Sequence, residues 1–179
     1  MQVIETKRFV LRLVNKKDES NIFEILSDPD VVKYLNIELN TKKEDTKKII
    51  EDYLIGLEKK EKFPFAIIDK NTGEFLGVFL IKLDLYDVDC YEFTIYIKKQ
   101  YWNKGIYTEV LKSMVKFGFE EIKTGNFRGF IMEENNASSH VLEKNGFKLE
   151  KVFFVDGIKS KIKSYLMKKD EYQENNFQK

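Results

Sequence analysis

Apolar positions along the chain recur at two different spacings, and each change of spacing marks an element. In "RFVLRLV", Phe9, Leu11 and Leu13 alternate with Arg8, Arg12 and their neighbours, which predicts a half-buried β-strand. "KKDESNIFEILSD" places Ile22, Phe23, Ile25 and Leu26 at helical spacing, and Pro29 marks a break after it. "TKKEDTKKIIEDYLIGLEKK" predicts a longer helix, with Thr41 and Glu44 spaced as a capping box. From Phe63 the spacing becomes that of strands: "FPFAIID", the turn "KNTGE", "FLGVFLIKLDL" and, past an acidic loop, "CYEFTIYI", read as an antiparallel meander. "KGIYTEVLKSMVKFGFEEI" is helical again, with Ile106, Val110, Met114 and Phe117 on one side. "NFRGFIM" reads as a strand and "NASSHVLEKNGF" as a short helix stopped by Gly146. "FKLEKVFFVDGIKSKIKSYLMKK" reads as a hairpin turning at Asp156-Gly157, and "EYQENNFQK" as a polar, frayed tail. These elements predict an α+β class, three-layer α/β in build: a mixed, mostly antiparallel twisted sheet of about seven strands flanked by helices.

Length and composition narrow the reading. With 179 residues, the expectation is one domain over residues 1–172 and a tail over 173–179. Lysine and arginine number 31 against 30 for aspartate and glutamate, so no global field favours nucleic acid, and no direct nucleic-acid partner is expected. Lys7, Arg8 and Arg12 interrupt the opening apolar residues, and no stretch reaches transmembrane length, so neither a signal peptide nor a membrane partner is expected. The expected location is the cytoplasm. One cysteine and one histidine make the chain poor in zinc ligands, and no metal is expected.

The chemistry is sought in "IKKQYWNKGIYTEV", where a strand reaches a turn bearing Gly105 and feeds a helix. Such a corner leaves backbone N–H groups without helical partners, and together with the positive helix end they attract an anion. On spacing alone, a plain turn and an anion cradle both remain open.

Three segments in order carry a resemblance. "ETKRFVLRLVNKKDESNIFEILSDPDVVKYL", "YWNKGIYTEVL" and "NNASSHVLEKNGF" together resemble the GNAT superfamily of acetyl-CoA-dependent N-acetyltransferases. Within it they are similar to the RimJ/RimL-like branch, which includes ribosomal-protein N-terminal acetyltransferases. The resemblance implies a sheet in which the strands near 90–97 and 126–132 begin paired and then splay, with pantetheine in the wedge. It implies that the backbone groups of Ile95 and Ile97 pair with the pantetheine arm. It implies that amides in the loop of Asn103, Lys104, Gly105, Ile106, Tyr107 and Thr108, beside Trp102, hold the pyrophosphate, with Lys104 adding charge. It implies that Asn135 faces the pantetheine and Ser138 the sulfur.

The family loop often carries glycine where this chain has Asn103 and a small residue where it has Tyr107. Thr94 replaces a common glycine, and Leu142 stands where other branches carry a tyrosine general acid. Ser138 is then the candidate acid for the departing thiolate and Glu92 the candidate base for the amine. A poor base suits an α-amine, which costs only about 1 kcal/mol to present neutral at pH 7, against about 4 to 5 for a lysine-like amine.

Plainer readings stand beside these. Cys90 is expected to pack in its strand and His140 to lie on the surface. Asp84, Asp87 and Asp89 form either a solvated loop or a contact for a cationic amine. Lys159, Lys161 and Lys163 alternate as an exposed strand face, and Trp102 packs under the loop. The expected function is acetyl transfer from acetyl-CoA to a primary amine, a protein N-terminus or a small molecule. "CYEFTI" is also similar to spermidine acetyltransferases, which makes a polyamine or amine drug the rival acceptor. A catalytically silent acyl-CoA-binding sensor is the rival of another class. A homodimer is compatible with the sequence.

Overall fold

The computed structural model of the chain describes residues 3–35 and 37–177, with side chains as far as Gln173. The chain packs as two compact units: residues up to Lys82 with Thr94–Val110, and Leu83–Phe93 with the residues from Leu111 onward.

The first unit holds strands β1 (Ile4–Glu5), β2 (Phe9–Leu13), β3 (Lys62–Asp69) and most of β4 (Phe75–Leu83). It also holds helices α1 (Glu19–Leu26), α2 (Pro29–Val32) and α3 (Lys43–Glu58). Strand β2 pairs antiparallel with both β1 and β3, pairings outside the predicted meander, and β3 pairs antiparallel with β4, as the meander predicted. Ile22, Ile25 and Leu26 of α1 and Ile50 and Tyr53 of α3 meet Ala66, Val78 and Leu80 of the strands in one buried cluster. Helix α3 begins one residue later than the predicted cap allows: Lys42 is its extended N-cap, and no side chain bonds there, so Thr41 and Glu44 form no capping box. The chain ahead of α3 is instead held by buried Asn40, whose N–H donates to Leu26 O (3.0 Å) and whose Nδ2 donates to Thr46 Oγ1 (2.9 Å). A capping box does occur at Asn15, which accepts from Lys17 N–H (3.0 Å) while Asp18 accepts from Asn15 N–H (2.9 Å).

The second unit holds β6 (Asn126–Met132), α5 (Asn136–Lys144), β7 (Lys148–Phe153), β8 (Ile162–Lys168) and α6 (Lys169–Phe177). Strand β5 (Cys90–Ile97) and helix α4 (Ile106–Phe117) each contribute residues to both units. The eight strands follow the order β1-β2-β3-β4-β5-β6-β8-β7, a single mixed sheet in which β5 and β6 are parallel, while β1–β2, β2–β3, β3–β4, β6–β8 and β7–β8 are antiparallel. A parallel neighbour requires a crossover, and the segment carrying α4 supplies it. Phe93 stacks on Phe127 (centroids 4.9 Å) and meets the edge of Phe147 (5.4 Å), forming the aromatic centre of this unit. Of the stretch expected to fray, residues 171–177 are helical and the last two lie outside the described residues; the helix has packing partners, since Tyr172 stacks on Phe119 (4.8 Å) and Glu171 pairs with Lys148 (2.6 Å).

Candidate functional site

Two strand-to-helix corners contain the residues singled out in the sequence. The first follows β5. A short 3-10 turn over Lys99–Tyr101 leads to extended Trp102, and then Asn103 (φ 59°) and Gly105 (φ 70°) both adopt the left-handed conformation before α4 starts. Glycine reaches this region without steric cost, and asparagine is among the residues that tolerate it best. Asn103 therefore satisfies a backbone demand that the resemblance associates with glycine. The first helical bond of α4 is from Glu109 N–H to Gly105 O (3.2 Å), so helix geometry leaves the amides of Ile106, Tyr107 and Thr108 without carbonyl partners in the preceding turn. Gly105 brings no side chain to cap them. Tyr107 is half-buried, and burial pushes its hydroxyl far above the ordinary tyrosine value, so the polar end of the ring lies inside the protein. The Lys104 ammonium sits over the Tyr101 ring at 4.9 Å.

The loop is braced by residues that no local motif announced. Arg8 donates from Nη1 to Lys104 O (2.9 Å), from Nε to Glu109 Oε2 (2.6 Å) and from its backbone N–H to Glu109 Oε1 (2.8 Å). Thr6 Oγ1 donates to Glu109 Oε1 (2.7 Å). Burial pushes the Glu109 carboxyl up, but the bonds from Thr6 and Arg8 outweigh it and leave the group below its ordinary value.

Strand β5 turns alternate backbone groups to its two edges. Asp84 N–H donates to Cys90 O (2.9 Å) and Lys98 N–H donates to Leu76 O (2.8 Å), so even-numbered positions address β4. The backbone groups of Ile95 and Ile97 consequently turn to the opposite edge. The Ile97 carbonyl is already engaged, however: it accepts from Trp102 Nε1 (2.9 Å). Trp102 is 37% exposed, and this bond ties its indole to the end of the strand.

The second corner follows β6. The parallel ladder pairs Cys90–Phe93 with Asn126–Gly129 and ends there, at the place expected for the splay, while β6 continues pairing with β8 as far as Met132↔Ile162. Gly129 is required at that point by space: a Cβ there would lie 2.8 Å from Phe93 Cζ and 3.0 Å from Leu142 Cδ1. Leu142 of helix α5 therefore packs on the sheet face that carries Phe93. Side chains alternate along a strand, so Glu92, in register with Arg128, addresses the opposite face. The structure thus separates Glu92 from the helix bearing Ser138 by the thickness of the sheet.

Asn135 caps α5: its Oδ1 accepts from Ser138 N–H (3.2 Å). That carboxamide oxygen is engaged locally, and Ser138 lies half-buried in the first turn. Tyr165, fully buried on β8 and in register with Gly129, donates from its hydroxyl to Glu143 Oε1 (2.8 Å). Its contact with α5 had no counterpart in the sequence pattern.

The acidic loop is neither solvated nor open to a ligand at Asp84. That carboxylate is buried, accepts from the N–H groups of Tyr86 (2.8 Å) and Asp87 (3.2 Å), and pairs with Arg128. Asp89 is tied to Gly125 N–H (2.9 Å). Lys159 and Lys161 precede β8, so the three alternating lysines do not form one strand face, and Lys163 Nζ donates to Glu133 O (3.1 Å). Cys90 is buried and His140 exposed. Among the described residues no group of three acidic, histidine or cysteine side chains could hold a metal ion, and no helix is long and apolar enough to cross a membrane.

A sequence profile describing the acetyltransferase (GNAT) domain matches residues 8–148. The chain belongs to that family and is an acetyl-CoA-dependent acyltransferase. It is 25% identical over 150 residues to the uncharacterized N-acetyltransferase YoaA of Bacillus subtilis, covering 84% of this chain and 85% of that protein. Its fold matches RimL, a ribosomal-protein alpha-N-acetyltransferase solved with coenzyme A, at a TM-score of 0.84 and 16% identity, covering 95% of this chain and 99% of that one. It also matches the spermidine N-acetyltransferase of Vibrio cholerae, solved with coenzyme A and spermine, at a TM-score of 0.81 and 17% identity, covering 93% and 98%. These structural likenesses establish a shared fold.

Proposed function

We propose that residues 1–172 act as one RimJ/RimL-like N-acetyltransferase domain in the cytoplasm, moving acetyl from acetyl-CoA to a primary amine, with a protein N-terminal α-amine or small amine as acceptor. The observation that carries this reading is the end of the β5–β6 ladder at Phe93 and Gly129, with Glu92 addressing one face and the Ser138-bearing helix covering the other. An amine and a thioester can then approach from opposite faces, the geometry that direct attack needs.

The loop residues fit the anionic end of the cofactor. Left-handed Asn103 and Gly105 lead into a helix start whose amides at Ile106, Tyr107 and Thr108 have no intrahelical acceptor, a fitting cradle for pyrophosphate. The edge of β5 that carries the Ile95 backbone suits pantetheine, and the Trp102 bond fixes the Ile97 end of it. The acetyl thioester supplies an activated acyl group when bound. Around it this chain provides orientation and proton handling: Glu92 takes the proton from the attacking amine and Ser138 gives one to the departing sulfur. Backbone N–H groups where the ladder ends stabilise the oxyanion. The solved likeness to RimL supports the α-amine acceptor, in line with the lower cost of neutralising an α-amine.

Acetyl-CoA at saturating concentration should raise the melting temperature, because a ligand of the folded state stabilises it by mass action. A thiol-release assay should then show turnover with N-terminal peptides. Turnover confined to polyamines would move the acceptor assignment, and binding without turnover on any amine would replace the enzyme by a sensor. Ser138→Ala should lower kcat by about 100-fold with little change in acetyl-CoA affinity; an unchanged rate removes Ser138 as the acid.

A further inference from the structure

Glu109 occupies an unusual place for a site that takes a dianion. It lies in the first turn of α4, next to the amides that face the loop, and a carboxylate there competes with a bound anion for the same positive helix end. Thr6 and Arg8 hold it in place. The Arg8 fork joins it to the Lys104 carbonyl, and Arg8 Nη2 stands 3.6 Å from where a Cβ on Gly105 would be. The ion pair is substantially shielded on the glutamate side, with side-chain exposures of 42% for Arg8 and 21% for Glu109.

We infer that Arg8 is a positioning residue for the pyrophosphate loop, holding Lys104 and Gly105 in their bound-state conformation and cancelling the charge of Glu109 so that the loop accepts an anion. The inference rests on reading this loop as the pyrophosphate site. Arg8 fixes the loop through the Lys104 carbonyl, which orders the segment between the two left-handed residues before ligand arrives. Glu109 anchors Arg8 and lets Thr6 fasten the same carboxylate, so the brace ties the segment before β2 to the start of α4. The carboxylate is needed as an acceptor, whereas its charge opposes the ligand, and the guanidinium reconciles the two.

Charge and bracing separate experimentally. Acetyl-CoA affinity is measured by calorimetry on wild type, Arg8→Ala, Glu109→Gln and the double variant, at about 20 mM and about 300 mM salt, with circular dichroism confirming each fold. Arg8→Ala should weaken binding by about tenfold at low salt, from the lost brace and the exposed carboxylate together. The double variant should bind about threefold more tightly than Arg8→Ala, and that gap should close at high salt, where the repulsion is screened. Glu109→Gln keeps through Oε1 the acceptor for Thr6 Oγ1 and the Arg8 backbone N–H, gives up the acceptor for Arg8 Nε while leaving the Arg8 bond to Lys104 O in place, and should bind at least as tightly as wild type at low salt. In turnover, Arg8→Ala should raise KM for acetyl-CoA while leaving kcat near wild type. Equal affinity of Arg8→Ala and wild type overturns the inference alone. A double variant as weak as Arg8→Ala at both salts, or a weaker Glu109→Gln, overturns its charge component. A wild-type protein that binds no acetyl-CoA overturns the loop assignment and the inference with it.

Discussion

The two strand-to-helix corners are built from similar parts and end differently. At the start of α5, Asn135 turns its own carboxamide onto the helix and satisfies the Ser138 N–H. At the start of α4, the equivalent place is taken by Gly105, which has no side chain, and the preceding turn is shaped by left-handed backbone at Asn103 and Gly105. One corner caps a helical amide with its own side chain; the other brings no side chain of its cap residue to the amides that open its helix. A helix N-terminus is therefore informative about ligands only once its cap has been inspected.

Substitutions can break this contrast. Gly105→Val should have the largest effect: a β-branched residue at φ 70° is strained, and calorimetry should show acetyl-CoA affinity falling by more than about tenfold. Affinity kept within about twofold would mean that the loop amides do not depend on this conformation. Asn135→Ala should act on folding, costing about 1 kcal/mol of stability from the lost cap, or about 2 to 4 °C in melting temperature. A larger effect on cofactor affinity than on stability would give Asn135 the pantetheine role after all.

The brace at the first corner predicts a pH effect of smaller size. Glu109 has a folded value below its ordinary 4.5, so its contribution to stability is full above about pH 4.5 and is lost as pH falls through the lower folded value. Urea unfolding between about pH 5 and pH 3 should show a shallower loss for Glu109→Gln than for wild type; identical slopes would remove the linkage. Asn103→Gly should matter least, changing stability by a few tenths of a kcal/mol and leaving binding near wild type, because asparagine already tolerates the φ of 59°. A marked gain in affinity would show that the asparagine side chain crowds the ligand.

Local periodicity revealed much of this architecture and failed where distant residues decide. Strands β5 and β6 run over Cys90–Ile97 and Asn126–Met132, the segments that alternation and the turn residues delimited. The cap of α3 fell one residue from Thr41, because buried Asn40 secures that entry through Leu26 and Thr46. Helix α6 forms on polar sequence since Tyr172 finds Phe119, a contact no local pattern encodes. Similarly, the bond between Arg8 and Glu109 spans 101 residues, and the burial of Asp84 depends on Arg128. At the site, Gly105 and its helix were legible because backbone chemistry is local. The engagement of Ile97 by Trp102 and the caps at Asn135 required coordinates.

Cys90 bears on self-modification. Burial raises its thiol to about 12, with Arg128 lowering it less and neighbouring acids adding to the rise. At pH 7 the protonated thiol therefore prevails over the thiolate, the form that attacks a thioester. A protein that handles an activated acyl group thus keeps its single sulfur nucleophile almost silent, and transthioesterification of its own chain by acetyl-CoA is suppressed by the same packing that seats β5 in the sheet.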